Sequence, residues 1–163
     1  MRVVIISFLL FAFFISCDKK QKPVNKFLGT WYGTEYIVPS ESVLKINKDS
    51  SFSYKSAGCQ WRVVSKGNWK IIGDSLELNS TSSDTCYKVF PFVFCIPFGS
   101  DAIEDKFTIP NCDADNDVSF AQFTKEVFYL KNDSLTYKIK AGSNCSDTLR
   151  IVYARTGKIR KTN

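Results

Sequence analysis

The chain has 163 residues, with 22 Lys/Arg against 16 Asp/Glu for a formal charge of +6, and it contains no histidine. The missing imidazole excludes Ser-His-Asp and Cys-His nucleophile systems and removes the commonest transition-metal ligand. Any catalysis would have to rest on paired carboxylates, a lysine or a tyrosine, so a non-enzymatic role without a cofactor is expected.

From the N-terminus, Val3 to Ser16 form 14 residues without a charge. As a helix this run reaches only ~21 Å, short of the ~30 Å of a bilayer core, and it matches the apolar region of a secretory signal peptide. A tilted anchor helix is the alternative. The run breaks at Ser16-Cys17 and turns at once into Asp18-Lys19-Lys20. Phe14-Ile15-Ser16-Cys17 resembles the lipobox of bacterial lipoproteins, where a small residue precedes a cysteine that is diacylated and becomes the first residue. The resemblance implies loss of residues 1–16 and a lipid on Cys17. It also implies a bacterial cell-envelope location with the membrane as partner. The outer membrane is favoured, its periplasmic and surface faces both open. Two acyl chains anchor stably, each buried CH₂ contributing about 0.8 kcal/mol; the other reading of Cys17 is a structural thiol. Residues 17–26 are too polar to fold and read as a flexible tether.

The basicity is concentrated at the two ends. Lys19, Lys20, Lys22 and Lys26 flank the body on one side, and Arg155, Lys158, Arg160 and Lys161 on the other, whereas residues 27–154 hold 13 Lys/Arg against 15 Asp/Glu. No basic face interleaved with aromatics crosses the body, so nucleic acid is not an expected partner. Near anionic headgroups each terminal charge can add roughly 1 kcal/mol.

After residue 26 no helical period persists. Short alternating runs ("GTWYGTEYIV", "SVLKIN", "SFSYKS", "CQWRVVSKGNWKII", "SLELNS", then "EVFYLK", "LTYKIK" and "DTLRIVYAR") are separated by turn clusters, the pattern of half-buried strands. The expected fold is all-β: an antiparallel up-and-down barrel, or strongly curved meander, of eight or nine strands over residues 27–155. Closure would remove its exposed edges; residues 156–163 form a basic tail. "FLGTWYG" resembles the G-x-W start of lipocalins, and "GNWKIIGDSLEL" resembles a second element of the lipocalin-like domains of small bacterial lipoproteins. That resemblance implies a barrel closed by Trp31 with a late arginine stacked on it, Arg155 first and Arg150 second. The helix that lipocalins place before the last strand has no counterpart. Asp-Ser-Leu at Asp74 and Asp133 and Asp-Thr-Leu at Asp147 resemble a bacterial O-glycosylation signal, but turn chemistry explains them.

The middle is irregular. "CYKVFPFVFCIPF", residues 86–98, is apolar on both faces and broken by Pro91 and Pro97, so it belongs at an edge or bulge. Phe90, Phe92, Phe94 and Phe98 either line a cavity mouth or partner patch, or form a buried strand under the next loop. That loop, residues 99–117, carries six acids. Asp113, Asp115 and Asp117 alternate as oxygen ligands for calcium do, yet Val118 and Thr124 stand where an EF-hand needs Gly and Glu. A solvated acidic loop without metal is expected.

With Cys17 lipidated, five cysteines remain and disulfides are the default outside the cytoplasm. On a nine-strand count, Cys59 and Cys86 fall at one end of the meander, and Cys95, Cys112 and Cys145 at the other. This predicts Cys59–Cys86 and Cys95–Cys112. The expected function is a lipid-anchored barrel binding a small hydrophobic ligand or envelope component. The alternative is a surface interaction or structural module with a filled core.

Overall fold

The computed structural model describes residues 25–34, 40–95, 105–114 and 117–157. Cys17, the leader and the tether up to Val24, Phe98 and Asp115, and the tail after 157 lie outside the described residues. Among the described residues every regular element is a strand: β1 Gly29–Gly33, β2 Glu41–Ile46, β3 Ser51–Ala57, β4 Arg62–Ile72, β5 Ser75–Ser80, β6 Lys88–Pro91, β7 Lys106–Phe107, β8 Val118–Gln122, β9 Glu126–Lys131, β10 Ser134–Lys138 and β11 Val152–Ala154.

Eight of these close a lipocalin-like barrel. Chain order gives β1-β2-β3-β4-β5-β9-β10-β11, each antiparallel to its neighbour, and β11 returns to β1 through Tyr32↔Ala154 and Gly33↔Tyr153. The period-two alternation sets the faces: Phe52, Tyr54 and Ser56 of β3 are buried while Lys55 and Ala57 face out. The hairpin between β9 and β10 turns on Asn132 and Asp133, both with positive φ (48° and 58°). That is the conformation a two-residue turn needs to follow the strand twist.

The core is a contiguous set of side chains including Phe27, Trp31, Leu44, Ile46, Phe52, Leu76, Leu78, Phe128, Leu135 and Tyr153. Leu44, Leu76, Leu78, Phe128 and Leu135 have no exposed surface at all. These five side chains are therefore in contact with other protein atoms on every side.

The remaining three strands belong to one long excursion, residues 81–125, between β5 and β9. β8 lies parallel to the start of β4 (Arg62↔Val118 to Val64↔Phe120), β6 parallel to β8, and β7 antiparallel to β6. The 11-residue β4 makes this possible. One of its edges pairs with β3; the other is shared between β8 over 62–64 and β5 over 67–72.

The barrel therefore has two distinct poles. At the tether pole lie the approach to β1, the turns 47–50, 73–74 and 132–133, and Arg155. At the insertion pole lie Thr34 and Ser40, the connections 58–61 and 139–151, and the described residues between β5 and β9. Within the run 86–98 the described strand, Lys88–Pro91, pairs with β7 and β8 and is not a barrel strand, and this corrects the cysteine arithmetic. A connection that leaves and returns at one pole brings Cys59, Cys86, Cys95, Cys112 and Cys145 to the same pole. The bonds formed are Cys86–Cys112 and Cys95–Cys145, not Cys59–Cys86 and Cys95–Cys112, and Cys59 is a free, exposed thiol.

Candidate functional site

The tether pole is closed by the residues of the G-x-W element. The guanidinium carbon of Arg155 stands 3.5 Å from the centre of the Trp31 ring, and its nitrogens donate to the carbonyls of Leu28 (2.7 Å) and Lys26 (2.6 Å). The Trp31 indole N–H donates to the Phe27 carbonyl at 2.8 Å. Gly29 allows the approach. Its φ is +112°, and a Cβ there would lie 2.8 Å from an Arg155 nitrogen, so a side chain would meet strain and a clash together. Arg150, the second candidate for this role, lies before β11 at the opposite pole.

The insertion pole is built around Phe92. Just after β6 the chain turns inward, fixed by the Phe92 amide donating to the Gln122 carbonyl. The Phe92 ring stacks on Phe123 at 4.1 Å and meets Tyr54, Phe128 and Tyr137 at 5.6–5.8 Å. Aromatic pairs in these geometries contribute about 0.5–1.5 kcal/mol each beyond burial. Three residues later the Cys95–Cys145 bond joins this segment to the β10–β11 connection, with the two Cα atoms 4.7 Å apart. Cys86–Cys112 braces the insertion internally. Of the four phenylalanines considered for a mouth, Phe92 thus occupies the opening rather than lining it. Phe90 and Phe94 are exposed, the latter by 54%.

Around this plug lies a ring of polar groups. Tyr54 and Tyr153 lie near each other among Ser56 and Ser42, and burial holds both phenols above their usual ionisation range. Tyr137 donates to Glu126 at 2.7 Å, and Lys140 donates to Glu126 at 2.6 Å and to the Thr124 carbonyl at 2.8 Å. Burial, then the hydrogen bond to Glu126 and its charge, raise the Tyr137 phenol. The Glu126 side chain is 5% exposed, and the Thr124 amide also donates to it, at 3.3 Å. With three donors converging on it, this carboxylate is a satisfied structural acceptor, as buried charge requires. Sequence reading passed over this cluster, though one signal was available: Glu126 shares the parity of Phe128, and so faces inward.

The outward parts of the insertion combine aromatic and polar groups. Register places Lys88, Phe90 and Phe107 on one face; Lys88 pairs with Asp105 at 2.6 Å and stands 5.6 Å from the Phe90 ring. On the other face a groove of about 420 Å³ runs between the insertion and the end of β5, lined in part by Ser80, Thr81, Val89, Lys106, Phe120 and Gln122. Asp113 and Asp117 are exposed, and the Asp117 carbonyl accepts the Arg62 amide. Among the described residues no group of three His, Cys, Asp or Glu side chains is arranged to hold a metal.

No family model matches the chain, and no curated protein or solved structure matches it significantly.

Proposed function

We propose that the protein is a lipid-anchored component of the bacterial cell envelope, with a packed barrel as scaffold and a disulfide-braced insertion that binds another protein. The observation supporting this reading is Phe92, whose ring packs on Phe123, Tyr54, Phe128 and Tyr137 at the end of the barrel a ligand would enter. Phe90, Phe94 and Phe107 turn outward on the same insertion. Exposed aromatics beside polar and charged groups suit a protein interface. Two disulfides at one pole suit an oxidising compartment, and the lipobox-like Ser16-Cys17 supplies the anchor. No catalysis is proposed: the buried carboxylate already has its donors.

Binding of a small apolar ligand is the second reading, favoured by the lipocalin-like form of the barrel. Native mass spectrometry of protein extracted from its own membranes separates the two. The expected mass is residues 17–163 plus acyl chains on Cys17, with two disulfides and no retained small molecule. A retained apolar ligand would favour the second reading. An unmodified chain still carrying residues 1–16 would remove the anchor.

A further inference from the structure

The tether pole combines three features that point to a surface. First, the chain enters the barrel and leaves it there, and Arg155 ties the two crossings together through the Lys26 and Leu28 carbonyls. Second, the basic surplus sits on those two stems: Lys19, Lys20, Lys22 and Lys26 on one, and Arg155, Lys158, Arg160 and Lys161 on the other, with Asp18 the one acid among residues 17–26 and 155–163. The turns at this pole hold Lys48, Asp49, Asp74 and Asp133, a slight excess of acid, so the stems set its sign. Third, the β4–β5 hairpin projects past its neighbour. β4 parts from β3 at Asn68 and continues to Ile72 against β5. Ile71 and Ile72 are 45% and 44% exposed. Consecutive strand residues point to opposite faces, so both faces of this tip present bare aliphatic surface.

We propose that the tether pole rests on an anionic bilayer, with Ile71 and Ile72 entering the headgroup layer beside the points where the two basic ends of the sequence join the barrel. The insertion is then held on the far side, turned away from the lipid. The inference rests on the lipid-anchor reading for its tether. Eight peptide steps from Cys17 to Asn25 span at most ~28 Å, which keeps this pole near the membrane. The opposite pole stands one strand length, ~20 Å, further out. Apolar side chains at such an interface bury ~5–10 Å into the headgroup boundary, assisted by basic charge.

The free thiol supplies a control position. The lipoprotein, purified from its own membranes, is labelled at Cys59 with a maleimide fluorophore. A second preparation, Ile72→Cys in a Cys59→Ser background, is labelled at the hairpin tip; Lys131→Cys in the same background is a neighbouring site should the hairpin variant misfold. Each is placed in phosphatidylcholine vesicles carrying brominated lipid, with and without phosphatidylglycerol. Quenching at position 72 or 131 is expected to exceed that at Cys59 by roughly threefold on the anionic vesicles, and to fall by about half without phosphatidylglycerol. Equal or greater quenching at Cys59 overturns the orientation. No quenching at any site, with acyl chains present on Cys17 by mass spectrometry, overturns the docking while the anchor stands. The gradient on an unacylated chain sustains the docking and removes the anchor.

Discussion

Phe92 shows how one side chain decides between uses of a barrel. Its ring meets four other aromatics, and truncation would remove those contacts and leave a void. Phe92→Ala is expected to lower stability by about 3 kcal/mol in urea titration and to increase uptake of a hydrophobic probe relative to the native protein. The three inward tyrosines make a second, pH-dependent prediction. Burial holds the Tyr54, Tyr137 and Tyr153 phenols protonated beyond the range in which an unfolded tyrosine ionises, near 10. Their contribution is intact below that pH. Above it the unfolded chain binds fewer protons than the fold, so stability falls as pH rises. The tyrosinate absorbance of these three residues and loss of the strand circular-dichroism signal should then appear together above about pH 10. The pairing of Trp31 with Arg155, residues far apart in sequence, was legible only through the lipocalin-like pattern; alternation gives the inward parity of Trp31 and nothing about its partner.

At the level of elements, alternation and turns mark nearly every barrel strand, because each strand is half-buried and local pattern carries that information. The insertion was not legible for the opposite reason. β8 pairs in parallel with β4 and β6 in parallel with β8, and such pairing leaves no hairpin signal. "CYKVFPFVFC" therefore read as one more barrel strand, which displaced every later loop to the wrong pole and the cysteine pairs with it. The two bonds close loops of 26 and 50 residues, about 3.5 and 4 kcal/mol in the chain-entropy model. They should fail differently. Replacing Cys95 and Cys145 by Ser frees the segment bearing Phe92, so limited proteolysis should cut within residues 81–125 and the apolar probe should enter. Replacing Cys86 and Cys112 by Ser should lower stability comparably in urea while Phe92 stays seated and the probe stays out.

For the molecule as a whole, the barrel has two unlike poles: one closed by Trp31 and Arg155, and one cross-linked by two disulfides. The sequence places the basic surplus at its two ends; the fold brings Lys26 and Arg155, where those ends join the barrel, into contact, which no local pattern could reveal. Closure has a kinetic consequence. The Thr34 hydroxyl donates to the Val152 carbonyl across 118 residues of sequence, so the last stave must be synthesised before the first can find its partner. Long-range pairing of this kind is slow, and until then the growing polypeptide carries two open flanks with bare amides. A nascent chain stopped short of Val152 would be caught in that sticky interval, and a copy nearby could supply the absent stave. Stop codons late in the reading frame should therefore damage this protein through mispairing between molecules, out of proportion to the few residues they remove.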